Sequence, residues 1–257
     1  MNILLTNDDG IAARGIHLLA EAFTGMDGVQ LYICAPDGER SSIGQGMTVK
    51  NDIIMEDWPL SDYKGPVVWA KSCSGTPADC VRMGQYLLGL DGVKIDLVCS
   101  GVNHGGNAGT DTNQSGTVAA CREAATAGIP TIAFSSSRGI SCGENFFKVV
   151  PDVVKKTAGK LPPKTILNVN MRDLPWEEIK GYRAAKLADM AHACNYHPVE
   201  SDDGKAHYRF SGFTLPPPDK DPQTDRSLTD GGYISVSILP ILPEVAQFSH
   251  LVEELLK

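Results

Sequence analysis

The amino-acid sequence predicts an α/β fold, with a doubly wound, Rossmann-like and mostly parallel sheet covered by helices. In the first two-thirds of the chain, short apolar runs alternate with segments of helical periodicity. The apolar runs lack the apolar-polar alternation of half-solvated strands, which is typical of parallel strands buried on both faces. From about residue 181 the sequence becomes more polar and β-rich. We therefore expect a β-rich appendage and a terminal helix after the α/β core.

The elements of the core follow one another in a regular order. Strands are predicted at 2–6, 29–36, 66–70, 95–101, 130–136 and 165–170, and helices at 15–23, 76–89, 115–128 and 144–159. The start of the second helix is well marked, because Thr76 can cap it, Pro77 suits its first turn and Asp79 favours its positive end. Pro151 is expected to interrupt or kink the last of these helices.

The last third of the chain is organised differently. The runs at 208–214 and 233–240 alternate as half-exposed antiparallel strands do, and the segments 201–207 and 216–220 interrupt them with polar residues and prolines. We predict a core at 1–180, an appendage at 181–242 that is too short for a large core of its own, and a C-terminal helix within 243–257. The whole chain is treated as one structural domain.

Composition limits the classes of function. The 257 residues carry a net charge of −8 at pH 7, which argues against a nucleic-acid polymer as partner because such binding depends on many Lys and Arg contacts. No signal-like segment begins the sequence and no long apolar span occurs, so no membrane association is expected. The seven cysteines lack C-x-x-C spacing and are expected to be reduced, which favours a cytoplasmic location.

Two adjacent carboxylates, Asp8 and Asp9, directly follow the first predicted strand. Neighbouring like charges raise each other's pKa unless a positive charge lies between them. Carboxylate oxygens are the ligands that Mg²⁺ or Mn²⁺ prefers, so the pair indicates a divalent cation site. The alternative is a turn at Asp9-Gly10 in which one of the aspartates caps the next helix.

A long loop at 100–117 follows another predicted strand and contains almost no apolar side chains. Its five glycines allow backbone N–H groups to approach a ligand closely. The loop ends at Ser115-Gly116-Thr117, which opens a helix whose N-terminal amides and dipole suit a phosphate group. Because the P-loop pattern G-x-x-x-x-G-K-[ST] is absent, a P-loop is excluded, and the loop does not follow G-x-G-x-x-G.

Other polar loop residues are open to two interpretations. In the loop at 35–48, Arg40 could neutralise a phosphate or could simply be solvated, and Asp37 is expected to structure the loop. His104 could act as an acid or base, although a loop histidine is more often a surface residue. Asp111 is expected to be a loop-structuring residue. All three loops should converge at one edge of a doubly wound sheet.

Several of these segments, taken together, resemble the survival protein E (SurE) nucleotidases. The shared motifs are N-I-L-L-T-N-D-D-G at the start, A-P-D-x-x-R-S at 35–41, G-T-P-A-D-C at 75–80, S-G-V-N followed by G-x-N at 100–107, and S-G-T-V-A-A at 115–120. Their order and spacing agree over most of the chain, and 224–225 and 230–240 resemble the family's C-terminal region more loosely.

The resemblance implies a SurE-like fold and a metal-dependent phosphatase. It implies hydrolysis of nucleoside 5′-monophosphates, with some action on nucleoside 3′-monophosphates and short polyphosphate. One divalent cation per subunit would be ligated by Asp8, Asp9, Ser41 and Asn103. The phosphate would be held by Asn107, Ser115, Gly116 and Thr117. The family forms dimers or tetramers with exchanged C-terminal segments, which implies a homodimer or homotetramer here, with the appendage at 181–242 used in the oligomer contacts.

The reaction expected from these residues is attack of water on a metal-bound phosphate. Asp8 or Asp9 could take the proton of the water, or Asp8 could form an aspartyl-phosphate, and the sequence does not choose among these routes. Two further classes are alternatives: a non-catalytic protein that binds a nucleotide and Mg²⁺, and another Mg²⁺-dependent phosphatase. A haloacid-dehalogenase-type phosphatase would need D-x-D, whereas this chain has adjacent aspartates.

Overall fold

A computed structural model describes residues 1–215 and 221–242. Its strands are β1 Asn2–Thr6, β2 Gln30–Pro36, β3 Met55–Asp57, β4 Val67–Cys73, β5 Leu97–His104, β6 Thr131–Ser137, β7 Thr165–Arg172, β8 Tyr182–Ala184, β9 His192–Val199, β10 His207–Thr214 and β11 Ile234–Pro240. Its α-helices are α1 Arg14–Glu21, α2 Pro77–Leu90, α3 Gly116–Thr126, α4 Phe146–Thr157 and α5 Asp225–Asp230. The predicted C-terminal helix and the segment 216–220 lie outside these residues.

The main sheet has nine strands in the order β3-β4-β2-β1-β5-β6-β7-β11-β8. Neighbouring strands from β4 to β7 are parallel, whereas β3 runs antiparallel to β4 and β11 runs antiparallel to β7. The predicted doubly wound and mostly parallel sheet is therefore confirmed.

Strand β1 lies where the winding direction reverses. It pairs with β2 on one side and with β5 on the other. From β1 the chain adds β2 and β4 towards one edge of the sheet, and then it returns past β1 to add β5, β6 and β7 towards the other edge. Ligand sites of open α/β sheets form beyond the carboxyl ends of the strands at such a reversal. The loops after β1 and β5, which carry the predicted site residues, meet at this place.

Each face of the sheet has its own apolar core. Ile3 and Leu5 of β1 belong to a core that includes Val149 of α4, and α1 packs beside α4 on this face. Leu4, whose side chain points the opposite way, joins Ala120 of α3 and residues of α2. Burial on both faces is the physical reason for the uninterrupted apolar run at the start of the chain.

The helix starts agree with the capping rules where a capping residue is present. Thr76 accepts a hydrogen bond from the backbone N–H of Asp79, whose carboxylate accepts from the Thr76 N–H, and Pro77 is the first residue of α2. The predicted start of this helix is confirmed. Helix α4 continues through Pro151 without interruption.

The C-terminal third contains one correction to the sequence analysis. Strands β9 and β10 form an antiparallel hairpin with a mostly exposed surface, but β11 joins the main sheet between β7 and β8. Strand β11 is antiparallel to β7 and half-exposed, as predicted, but the buried face carries the serines: Ser235 hydrogen-bonds Thr229, and Ser237 donates to the Ala185 carbonyl. Ile238, on the other face, is half exposed. The predicted domain boundaries at 180 and 242 stay predictions.

The described cysteines are all free thiols, five of them buried. Among the helices of the described residues, none combines the length and the apolar character needed to span a membrane.

Candidate active site

A cavity of about 320 Å³ lies beyond the carboxyl ends of β1 and β5. It is lined by Asp8, Ser41, Ser42, Asn103, His104, Gly106, Asn107, Asp111, Gln114, Ser115, His192, Cys194, Phe210 and Gly212. The volume is in the range of small-molecule sites. The sheet therefore brings together the loops after β1, β2 and β5, as the sequence predicted, and adds residues from the β9–β10 hairpin.

The turn after β1 is built by Asn7 rather than by either aspartate. The Asn7 side chain donates to the Gly10 carbonyl at 2.8 Å and accepts from the Gly10 N–H at 3.2 Å. Gly10 has φ of 103°, a left-handed conformation that favours glycine. Helix α1 follows Ala13 and has no side-chain cap. Neither Asp8 nor Asp9 caps the helix, so the capping alternative is wrong.

Asp8 is buried at the end of β1, with 4 % of its surface exposed. The Thr117 hydroxyl at the start of α3 donates a hydrogen bond to Asp8 Oδ1. Burial raises the pKa of Asp8 to about 6, against the lowering effect of Thr117, and the nearby charge of Asp9 raises it further. The hydrogen bond from Thr117 therefore does not offset the unfavourable effect of burial on the ionised form of Asp8.

Asp9 lies beside Asp8 but outside the lining of the cavity. Its Oδ2 accepts a hydrogen bond from the His104 backbone N–H at 3.1 Å. Burial raises its pKa as well, and the His104 N–H opposes that effect. In the described part of the chain, no Lys or Arg side chain forms an ion pair with either carboxylate.

Ser41 and Asn103 contribute neutral oxygen atoms to the cavity lining that contains Asp8. The Asn103 side-chain N–H₂ donates to the Gly105 carbonyl at 2.9 Å, which leaves its Oδ1 free for a ligand. Ser41 donates its hydroxyl proton to Glu39 at 2.8 Å, which leaves the lone pairs of its oxygen. Within residues 1–215 and 221–242, no group of three or more His, Cys, Asp and Glu side chains is placed to hold a metal ion. The donor set of carboxylate, amide and hydroxyl oxygens fits a hard divalent cation better than zinc.

Asn107, a residue of the glycine loop at 100–117, is held by hydrogen bonds on several sides. Its backbone N–H donates to Asn170 Oδ1 at 2.8 Å, and its carbonyl accepts from the side chains of Asn168 and Asn170 at 2.8 and 3.0 Å. Its own side-chain N–H₂ donates to Ser135 at 2.9 Å. These contacts from β6 and β7 fix the position of Asn107 in the cavity wall.

The three residues at the start of α3 do not all lie in the cavity wall. Ser115 lines the cavity and caps α3 by accepting from the Val118 N–H at 3.0 Å. Gly116 and Thr117 lie against Asp8 instead, and neither lines the cavity. A Cβ atom at Gly116 would lie 2.7 Å from the Asp8 Cβ, so only glycine allows this approach. The helix start therefore supports Asp8 directly, and the phosphate-binding role of Gly116 and Thr117 stays a prediction.

Arg40 is directed away from the cavity. Its guanidinium donates to Asp37 Oδ1 at 2.6 Å and to the Ser74 carbonyl at 3.4 Å, while its backbone N–H donates to the Asp8 carbonyl at 2.7 Å. Arg40 and Asp37 therefore structure the loop that carries Ser41.

Sequence reasoning missed the contribution of the β9–β10 hairpin. His192 Nε2 contacts Asp111 Oδ1, and Cys194, Phe210 and Gly212 complete this side of the cavity. Asp111 is therefore a hydrogen-bond partner of the hairpin within the site rather than a loop-structuring residue alone. The two residues of the pair are 81 positions apart, and no local pattern in the sequence links them.

Three comparisons with known proteins bear on this site. The family model described as "Survival protein SurE" matches residues 3–193. The 5′-nucleotidase SurE of Synechococcus sp. (strain JA-3-3Ab) is 36% identical over 257 residues, with 97% of this chain and 94% of that protein covered. The 5′-nucleotidase SurE of Petrotoga mobilis is 35% identical over 243 residues, with 94% and 93% covered. The crystal structure of the SurE protein from Aquifex aeolicus superposes with a TM-score of 0.81 at 32% identity and full coverage of both chains.

Proposed function

The chain belongs to the survival protein SurE family, and from this we propose that it is a metal-dependent 5′-nucleotidase. It hydrolyses nucleoside 5′-monophosphates to a nucleoside and phosphate, with nucleoside 3′-monophosphates and short polyphosphate as further candidate substrates. The observation that carries the proposal is the cavity in which Asp8, Ser41 and Asn103 face the start of α3. This arrangement combines ligands for a cation with a helix N-terminus suited to an anion.

The cation would be held by Asp8, Asp9, Ser41 and Asn103, with one ion per subunit. Mg²⁺ or Mn²⁺ fits this all-oxygen set. When bound, the ion supplies a Lewis acid that polarises a phosphoryl oxygen. It also compensates the two carboxylates, which have no Lys or Arg partner in the described residues.

The residues of the chain itself position the phosphate and move a proton. Ser115 and the clamped Asn107 face the cavity and orient the phosphate group. Asp8 also faces the cavity, whereas Asp9 does not, so Asp8 is the carboxylate placed to take a proton from the attacking water. Thr117 holds the Asp8 carboxylate in one orientation for this step.

The experiment that tests the proposal measures phosphate release from AMP, 3′-AMP and short polyphosphate. Activity is measured after EDTA treatment and again with Mg²⁺, Mn²⁺ or Zn²⁺ added back. We expect no release in EDTA and recovery with Mg²⁺ or Mn²⁺, because the carboxylates need a cation to bind an anionic substrate. Absence of metal-dependent release from every mononucleotide would refute the proposal. Trapping of a phosphoenzyme at Asp8 would replace direct water attack by an aspartyl-phosphate route.

The remaining expectations concern assembly and location. We propose a homodimer or homotetramer with exchanged C-terminal segments, which acts in the cytoplasm on a small-molecule nucleotide and on neither a nucleic-acid polymer nor a membrane. The net charge of −8 supports the exclusion of a polymeric polyanion. Light scattering of the full chain measures the assembly, and a monomeric mass would contradict it.

A further inference from the structure

Part of the cavity wall, distant in sequence from the cation ligands, is made by one face of the β9–β10 hairpin. Cys194 is paired with Gly212, and Tyr196 with Phe210, across the β9–β10 ladder. Residues two apart on a strand share a face, so His192, Cys194, Phe210 and Gly212 all point the same way. These four residues line the cavity.

The aromatic ring of Phe210 lies along this face rather than away from it. A Cβ atom at Gly212 would lie 2.4 Å from Phe210 Cζ, so the ring occupies the space that any other residue at position 212 would fill. Tyr196 packs edge-to-face against the ring, with centroids 5.7 Å apart and an interplanar angle of 63°. The ring is fixed between these two residues, yet Phe210 keeps 58 % of its surface exposed.

A polar group lies on the same face of the hairpin at His192, four residues along β9 from Tyr196, the partner of Phe210. His192 Nε2 contacts Asp111 Oδ1, which orients the imidazole in the cavity wall. With Nε2 engaged by the carboxylate, Nδ1 is the ring nitrogen left for a ligand. An exposed aromatic ring with packed neighbours and an oriented hydrogen-bonding group therefore belong to the same part of the cavity wall.

We propose that this hairpin face is the nucleoside subsite, in which Phe210 stacks on the base and His192 hydrogen-bonds to the nucleoside. The inference rests on the proposed nucleotidase activity and deepens it. A nucleoside monophosphate has a charged phosphate at one end and a planar base at the other, and the cavity lining offers polar groups of the loops after β1 and β5 together with the aromatic ring of the hairpin. Phe210 and His192 thus set the preference for nucleotides over phosphate esters that lack a base.

The test compares kcat/KM for AMP and for ribose 5-phosphate, which carries the same phosphoryl group without a base. In Phe210→Ala we expect kcat/KM for AMP to fall about tenfold, in line with the effect of losing one base–aromatic stacking contact. The value for ribose 5-phosphate should change less than about twofold, because the residues proposed to bind the cation and the phosphate are untouched. Gly212→Ala should reproduce this pattern by displacing the ring, and Phe210→Trp should preserve the preference for AMP.

Tyr208→Ala is the matched control. Tyr208 is an equally exposed aromatic on β10 and lies outside the cavity lining, so both substrates should behave as in the wild type. His192→Ala should lower kcat/KM for AMP selectively by about fivefold, through KM, for the loss of one hydrogen bond. Equal values for the wild type and Phe210→Ala on AMP would overturn the inference while the nucleotidase function stands. Inactivity of the wild type on AMP would instead refute the function itself.

Discussion

Asp8 combines two properties that oppose each other, burial and negative charge. Its pKa is raised from 3.8 to about 6 chiefly by burial, so ionised Asp8 destabilises the metal-free protein. A group whose pKa is higher in the folded state contributes stability below its unfolded pKa and loses that contribution as the pH rises. The relevant window therefore runs from about pH 4 to just above pH 6, and a bound cation should remove the loss.

Substitution of Asp8 by Asn tests whether the buried charge of Asp8 destabilises the metal-free protein. In EDTA at pH 8 we expect Asp8→Asn to raise the free energy of unfolding, by something on the order of 3 kcal/mol, because the neutral amide carries no charge yet can accept from Thr117. The difference should vanish near pH 4, and the variant should be inactive. Denaturant unfolding at several pH values measures the difference in unfolding free energy between the variant and the wild type.

Asp9→Asn is the comparison variant, and its gain should be smaller because Asp9 is less buried. Added Mg²⁺ should stabilise the wild type and leave Asp8→Asn unchanged. A less stable Asp8→Asn protein at pH 8 in EDTA would contradict the assignment of Asp8 as an uncompensated buried charge.

Among the elements, α3 contacts the Asp8 side chain through its first turn. Its Thr117 hydroxyl holds Asp8, and Gly116 lets the helix approach within contact of that side chain. The sequence predicted this helix start as a phosphate site. The structure adds a second task, the positioning of a carboxylate, which depends on a contact between residues 109 positions apart.

Gly116→Ala should push helix α3 and the Asp8 side chain apart. The added Cβ would lie 2.7 Å from Asp8 Cβ and 2.9 Å from Asp8 Oδ2, so either α3 or Asp8 must shift. We expect kcat to fall at least about tenfold, since small displacements of catalytic groups have large effects on rate. Steady-state kinetics with AMP measures the change.

Gly89→Ala provides the control for the helix propensity of alanine. Gly89 lies in α2, and a Cβ there meets no atom within 4 Å. This variant should keep full activity and be more stable by roughly 0.5–1 kcal/mol. Full activity of Gly116→Ala would show that the close packing of α3 on Asp8 is dispensable.

At the scale of the whole molecule, Asp225 joins segments that are far apart in the chain. This fully buried carboxylate accepts hydrogen bonds from the N–H groups of Gly109 at 2.8 Å, Ala188 at 3.0 Å and Arg226 at 2.8 Å. It therefore connects the glycine loop of the site, the approach to the hairpin and α5. We therefore expect this connection to hold the glycine loop and the hairpin in position relative to each other.

Asp225→Ala should weaken the protein and the site together. It leaves three N–H groups without their acceptor, which we expect to cost about 3 kcal/mol of unfolding free energy. Activity on AMP should fall more than activity on ribose 5-phosphate, because the hairpin loses its anchor. Chemical denaturation and the kinetic ratio measure the two effects. Asp189→Ala, an exposed position next to Ala188, should leave both unchanged, and a wild-type kinetic ratio in Asp225→Ala would contradict the anchoring role.

The sequence was a sufficient guide where structure follows from local pattern. Periodicity located the main strands and the four core helices, and Asp8, Ser41 and Asn103 were expected near one another because strand ends of a parallel sheet share an edge. Prediction from the sequence was unsuccessful for elements that are very short or that carry buried polar side chains. β3 and β8 have three residues each, too few for a periodic signal, and the buried serines of β11 resemble solvent-facing positions.

The sequence by itself determined the doubly wound sheet, the family and the loops after β1, β2 and β5 that line the cavity, because periodicity and motif spacing are local properties. Only the tertiary structure decided that Asn7 forms the turn, that Thr117 supports Asp8 and that His192 reaches Asp111. It also decided that the hairpin lays Phe210 over Gly212 in the cavity wall. Most of these contacts join residues distant in the chain, and their partners are chosen by packing, which no local pattern specifies.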